Sequence, residues 1–278
     1  IEDALDATGS VTNDYIGLAH NDATNVDLVE IECNRKAAFD VGRLENYVTC
    51  THRGLAAGIA IGQTAMNDQL GTCLWVQNGV EHPSRVAARA AALFSVTEGA
   101  DPNHNYDDNA LPGAAVQFAD ADVPSRSTLK SALNNSLTPL VTVGDELQIV
   151  RAICSRSLSG STPDYRTYDR GDVVVAIRVR KECVALLTEV KKVNPYAGPD
   201  VAEGLPPTGT MTPGLCVSAV TGAMKEWETS RFNWLEQVDA NPVLGQWDST
   251  AKRTMLIVPT VAKTQNHQIG IIVRQQAA

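Results

Sequence analysis

The chain has 278 residues, of which 44% are hydrophobic and 20% are charged, and its formal net charge is −9 at pH 7. This composition predicts a globular protein with a sizeable core, and the length suits one large or two ordinary domains. The acidic balance argues against a direct nucleic-acid partner, because binding phosphates requires a basic face.

The first hundred residues predict a parallel sheet covered by helices. Strand-like apolar runs occur at 15–21, 46–54 and 71–79, and segments of helical character lie between them. The clearest helix, at 83–96, follows the third run. Strands that alternate with helices of this length form βαβ units.

A stretch rich in Asp, Asn, Pro and Gly at 97–115 predicts a loop and a domain boundary. After it, 125–136 predicts a helix, and 137–157 predicts two strands about the turn "VGDE". The fold class predicted is therefore α/β plus α+β. A βαβ-type domain at 1–115 precedes a mixed-sheet domain with two long helices at 116–278.

The two long helices of the second domain have separate start signals. Asp172 can cap the first, and its apolar residues keep helical spacing as far as Val190. The second opens at "TPG", where Thr212 can cap and Pro213 fits the first turn. Strand-like runs at 253–261 and 266–278 close the chain.

The six cysteines form no CxxC pair, and most lie in apolar runs, which predicts isolated, buried, reduced thiols. No apolar run reaches 18 residues, so no membrane insertion is expected. Because the chain begins with Ile1 and not with Met, we expect that an N-terminal part is missing.

One polar segment has part of the spacing of a calcium loop. Asp101, Asn103, Asn105 and Asp107 alternate as such ligands do. However, Tyr106 occupies the position that needs glycine, and the position of the bidentate glutamate falls at Pro112. A solvated turn is the favoured interpretation, and no metal is predicted.

A second pattern concerns nucleophilic catalysis. Cys50 and His52 share one face of a predicted strand, which is compatible with a thiolate–imidazole pair. No acid that would orient the histidine is identifiable, so a buried thiol and an ordinary histidine are favoured. The glycine-rich segment at 54–62 lacks the GxGxxG spacing of a dinucleotide site. The motifs therefore predict no enzyme, no catalytic residue and no cofactor.

Several segments, in their order along the chain, resemble Mu-like contractile tail sheath proteins of the phage tail sheath family. These segments are "IEDALDA…NDYIGLAHNDATN", "GADPNHNYDDNALPGAA", "LTPLVTVGDELQIVRAICSRS", "VVVAIRVRKECVALL" and "AMKEWETSRF". The resemblance covers nearly the whole chain and implies an N-terminally truncated structural subunit. It also implies that 1–115 form the outer domain and 116–278 the inner, tube-proximal domain.

The family implies a virion tail component that is assembled in the host cytoplasm. Its subunits polymerise as stacked six-fold rings around the tail tube and contract to drive the tube through the host envelope. The implied partners are copies of the chain itself, the tail tube protein, and the baseplate and tail terminator proteins. The alternatives kept open are a cytosolic α/β enzyme or nucleotide-binding protein with an unrecognised site, and a cytosolic binding module.

The last apolar run, "NHQIGIIVRQQAA", is the predicted subunit interface. In a strand, successive side chains alternate, so the two faces of 269–274 both carry apolar residues. Members of the family exchange terminal strands between subunits, and strand addition of this kind uses main-chain hydrogen bonds. Whether this strand pairs within its own subunit or with a neighbour stays open. The predicted interface residues are Ile269, Ile271, Ile272, Val273 and Arg274.

Overall fold

The computed structural model describes residues 5, 14–37, 44–115, 123–164, 168–201, 207–229 and 234–262. Within these ranges the chain forms six helices and twelve strands. The helices are α1 (Ala23–Ala37), α2 (Leu55–Ile59, continued by a π-helix over Ala60–Met66), α3 (Pro83–Ala100), α4 (Arg126–Asn134), α5 (Arg170–Val193) and α6 (Pro213–Thr229). None of these helices is both long and apolar enough to cross a membrane.

Six of the strands form one sheet, and the other six form three two-stranded pairs. The strands are β1 (Tyr15–Gly17), β2 (Asn46–Thr51), β3 (Gly71–Trp75), β4 (Asn109–Ala110), β5 (Thr138–Val143), β6 (Glu146–Ile149), β7 (Leu158–Ser159), β8 (Thr162–Pro163), β9 (Tyr196–Ala197), β10 (Thr210–Met211), β11 (Leu244–Asp248) and β12 (Arg253–Ile257).

The described chain divides into two compact units. The first, here called the sheet unit, comprises its residues up to 100 and from 104 to 170. The second, here called the helical unit, comprises 101–103 and 171–262.

A six-stranded mixed sheet with the order β1-β2-β3-β5-β6-β4 organises the sheet unit. Strands β1, β2, β3 and β5 are parallel, whereas β6 is antiparallel to both β5 and β4. Every residue of β2 and β3 is buried, as expected for parallel strands with both faces covered. The predicted alternation of strands and helices is thus present in the first hundred residues.

Helix α3 covers one face of this sheet. Its residues Val86, Ala90 and Phe94 keep the predicted helical spacing and pack in one core with Val48 and Leu74. The helix also runs close to the edge strand, because a Cβ on Gly17 would lie 3.1 Å from the Cα of Ala88.

The β5–β6 hairpin belongs to this same sheet and not to a separate one. Leu140, Leu147 and Ile149 are buried in the core that α3 forms with the parallel strands. The open edge of β3 accepts β5, so the six-stranded sheet contains strands from both sides of residue 115. The assignment of 1–115 and 116–278 to outer and inner domains stays a prediction.

The helical unit forms its own core between α5, α6 and the β11–β12 hairpin. The buried apolar residues in this core are Val175, Val179, Cys183, Val220, Met224, Trp227, Trp234, Leu235, Val238 and Val243. Helix α6 begins as predicted, with Pro213 at its first position and the Thr212 hydroxyl accepting from the Leu215 amide at 3.3 Å. The Asp200 carboxylate adds a second cap by accepting from the Gly214 amide at 2.9 Å.

Candidate functional site

The β11–β12 hairpin of the helical unit, here called the C-terminal hairpin, has two different faces. Its register places Leu244 opposite Ile257 and Gln246 opposite Met255. Since directly opposed residues point to the same side, these four residues share the outer face. On the inner face, Leu256 packs against the core of the unit.

Three large apolar side chains lie on the outer face. Leu244, Met255 and Ile257 are 57%, 42% and 65% exposed. No other element in the described part of the chain covers these three side chains. Leu244 and Ile257 lie directly opposite each other, so they form a pair on this face. Grouped, exposed apolar residues of this kind mark interaction surfaces.

The turn of the hairpin is held by one carboxylate. Asp248 Oδ1 accepts from the backbone amides of Thr250 and Ala251, both at 3.0 Å. The Ala251 amide is the largest cause of a lowered pKa for Asp248, with smaller contributions from Thr250 and Arg253. The carboxylate is therefore ionised when it closes the turn, and the outer strand edges are held in a defined position.

The edges of the C-terminal hairpin are longer than those of the six-stranded sheet. Each hairpin strand has five residues and, among the described residues, pairs only with the other strand, so each is an edge strand of a two-stranded sheet. The six-stranded sheet ends instead in β1, with three residues, and β4, with two. Strand addition needs a run of main-chain donors and acceptors along an edge, and an edge of five residues offers a longer run than one of two or three.

The predicted interface residues Ile269, Ile271, Ile272, Val273 and Arg274 lie outside the described residues. The preceding run behaves as predicted, since β12 occupies 253–257 within its own subunit. The chain then returns past Leu235, which pairs with Ala262 in an antiparallel bridge.

Cys50 and His52 have different surroundings, since the thiol is buried and the imidazole ring is half-buried. Cys50 is fully buried in β2, and burial raises the pKa of its thiol well above the ordinary value. A buried, protonated thiol is a poor nucleophile. The His52 ring packs against Gly79, where a Cβ would lie 2.6 Å from Nε2, and burial lowers the pKa of this histidine.

The polar segment around residue 104 makes turns. Asp101 Oδ1 accepts from the Asn103 amide at 3.1 Å, and Asn105 Oδ1 accepts from the Asp107 amide at 3.0 Å. Side chains that bond to the backbone two residues further on are typical of polar turns. Across the ranges that the structure describes, no group of three or more His, Cys, Asp or Glu side chains is placed to hold a metal ion.

Sequence reasoning missed a buried polar cluster in the sheet unit, here called the anchor cluster: Tyr15, Thr72, Glu98, Tyr106 and Arg170. Arg170, the first residue of α5, donates from Nε to Glu98 Oε1 at 2.6 Å and from Nη2 to Glu98 Oε2 at 3.3 Å. It also donates to the Thr72 hydroxyl at 2.7 Å and to the Tyr15 hydroxyl at 2.9 Å. The fifth member, Tyr106, donates to Glu98 Oε1 at 3.2 Å.

The charged pair of the anchor cluster is buried, and each member of the cluster has a hydrogen-bond partner. Arg170 is only 1% exposed, and its guanidinium lies 4.2 Å from the centroid of the Phe94 ring. Burial raises the pKa of Glu98, and the charge of Arg170 opposes that rise. No local sequence signal announces the pair, because Arg170 lies in a polar segment and its partner is distant along the chain.

A second group of acids lies on α1 and in the loop before β3. Burial raises the pKa of Glu30 to about 7, and the charges of Asp68 and Asp27 add to the rise. Burial also raises the pKa of Asp68. These shifts describe carboxyls that gain a proton more readily in the folded protein than in the unfolded chain.

No protein-family model matches the sequence, and no curated protein matches it by sequence. Solved structures do match. The sheath tail protein of Desulfitobacterium hafniense superposes with a TM-score of 0.64 at 13% identity, covering 94% of this chain and 59% of that one. For the sheath tail protein Lin1278 of Listeria innocua the TM-score is 0.67 at 12% identity, with 93% of this chain and 55% of that one covered.

A third match is the cryo-EM structure of the baseplate of the anti-feeding prophage. Its TM-score is 0.63 at 11% identity, and the match covers 100% of this chain and 72% of that one. The chain thus spans between half and three fifths of the length of the two sheath tail proteins. The chain shares its fold with these two sheath tail proteins, which agrees with the resemblance that the sequence indicates.

Proposed function

We propose that the chain is a structural subunit of a contractile phage tail sheath or of a phage-derived particle. Its copies polymerise as stacked six-fold rings around a tail tube, within a virion tail that is assembled in the host cytoplasm. Contraction of the polymer drives the tube through the host envelope. The tail tube, baseplate and tail terminator proteins are its further partners.

The open edge of the C-terminal hairpin is the observation that carries this proposal beyond the fold. It offers five-residue edges beside three exposed apolar side chains. The segment 269–274 of a neighbouring copy is apolar enough to add a strand there. Each main-chain hydrogen bond contributes only about 0.5–1.5 kcal/mol net, so cohesion comes from repetition over many subunits.

Mechanical work in such a polymer needs no nucleotide. Two packings of the same subunits differ in free energy, and a change from one packing to the other releases that difference as movement. Strands shared between subunits keep the polymer connected while the subunits move. A structural role is supported by the burial of Cys50, which raises the pKa of its thiol well above the ordinary value.

Electron microscopy of the full-length subunit tests the proposal. Wild type should form striated tubes or six-fold rings, whereas deletion of 268–278 or Ile257→Glu should leave folded subunits that form no long tubes. Val184→Glu is the matched control, because Val184 is 59% exposed on α5 and lies outside the hairpin. If both the deletion of 268–278 and Ile257→Glu still form tubes of normal length, the proposed strand addition is refuted.

A further inference from the structure

The described chain passes between its two compact units at three places. It leaves the sheet unit after Ala100, re-enters it at His104 and leaves it again after Arg170. Each place lies beside a member of the anchor cluster: Glu98 shortly precedes Ala100, Tyr106 shortly follows His104, and Arg170 is itself the last residue of the sheet unit. Three separate links therefore start from one buried group.

The Glu98 carboxylate joins these three links. Its Oε1 accepts from both Arg170 Nε and the Tyr106 hydroxyl, at 2.6 and 3.2 Å. Arg170 also donates to Tyr15 on β1 and to Thr72 on β3. The three places where the chain passes between the units are therefore also tied to two strands of the sheet. Such a network has one arrangement in which every member is satisfied.

Opening this network is strongly unfavourable in the folded protein. Arg170 and Glu98 have side chains that are 1% and 3% exposed, so separating them leaves two buried charges without partners.

We propose that the anchor cluster fixes the roots of these three described links to the sheet unit. Glu98, Tyr106 and Arg170 then keep their positions on the sheet unit, and the start of α5 stays with the sheet. This anchor is a property of the folded chain and does not depend on polymerisation.

Hydrogen exchange of the full chain, followed by mass spectrometry, tests the anchor. Arg170→Met and Glu98→Gln should each accelerate exchange in the segments 100–107 and 172–180 by about tenfold or more, while the amides of β2 and β3 change less. The control is Lys36→Met, which breaks another buried ion pair of the sheet unit. Lys36 Nζ lies 2.8 Å from Glu45 Oε2, with side chains 1% and 0% exposed.

The control distinguishes a local effect on the linking segments from the general loss of stability that breaking any buried ion pair causes. Lys36→Met should accelerate exchange around α1 and β2 and leave 172–180 near the wild-type rate. If all variants accelerate exchange evenly over the whole chain, or if Glu98→Gln leaves both linking segments unchanged, the anchor is refuted. Glu98→Gln keeps the shape of the side chain, so it decides the question even if Arg170→Met does not fold.

Discussion

Gly245 of β11 and Val217 of α6 lie so close together that a Cβ on the glycine would be 2.7 Å from the valine Cγ2. The same Cβ would be 3.2 Å from the carbonyl oxygen of Pro213. The inner face of the C-terminal hairpin therefore rests on the first turns of α6 at a point where no side chain fits. This contact fixes the hairpin on the helical unit and presents its outer face.

Gly245→Ala should destabilise the helical unit by about 1–3 kcal/mol, because the added methyl group forces the hairpin away from α6. Denaturant unfolding followed by tryptophan fluorescence measures this, since Trp227, Trp234 and Trp247 lie in the unit. Gly222→Ala is the control: nothing lies within 4 Å of that Cβ, and alanine should stabilise the helix by about 1 kcal/mol. Equal stability of wild type and Gly245→Ala would contradict the close packing.

Glu30 should make stability depend on pH. Its pKa rises from 4.5 to about 7 in the folded protein, so the folded state binds the proton more tightly than the unfolded chain. The free energy of unfolding should therefore fall as the pH rises from about 4.5 to about 7. Glu30→Gln should match wild type at the lower end of this range and be more stable than wild type above it.

Glu32 on the same helix provides the opposite control. Its pKa is lowered, mainly by the hydrogen bond from Arg35, so its contribution is present above the ordinary pKa and lost as the pH falls. Glu32→Gln should therefore bring no gain at neutral pH. Urea unfolding curves at a series of pH values compare the two variants. If both variants are more stable than wild type at neutral pH, the loss of a negative charge, and not the burial of Glu30, explains the added stability.

Asp248→Ala should loosen the C-terminal hairpin. The variant loses the bonds to the Thr250 and Ala251 amides, so exchange of the amides of β11 and β12 should accelerate, while α5 and α6 keep their rates. Because the pKa of Asp248 is lowered, the turn in wild type should hold above pH 3.8 and weaken only as the pH falls through the lower folded value. Asp239→Ala removes only an exposed pair with Lys225 and should leave the hairpin unchanged.

All six cysteines should resist thiol reagents in the folded protein. They are buried, and burial raises the pKa of every thiol, to about 12 for Cys33, Cys73 and Cys154. Labelling at mildly alkaline pH should be slow, and all six should react in denaturant. Rapid modification of Cys50 in the native state would instead revive the nucleophile interpretation, and loss of an activity in Cys50→Ala would establish it.

The elements that the sequence predicts well are those with strong local patterns. Strands β2 and β3 lie within the predicted strand-like runs 46–54 and 71–79, and α6 begins at its Thr-Pro signal. The predicted turn between β5 and β6 has Gly144 at φ 60°, a conformation that glycine adopts without strain. In each case the neighbouring residues alone carry enough information.

Other features depend on partners that are far along the chain. Strand β11 reads LGQWD, which has neither β-branched residues nor strict alternation, and it is a strand because it pairs with β12. Helix α5 begins at Arg170, two residues before the predicted cap Asp172, because the Arg170 side chain bonds to Glu98 in the sheet unit. Contacts over such distances leave no local pattern to read.

The short end strands of the six-stranded sheet have a consequence for growth in solution. With three residues in β1 and two in β4, that sheet gives an incoming chain almost no ladder to join. The edges of the C-terminal hairpin have five residues each, so we expect an added strand to pair there and not at the six-stranded sheet.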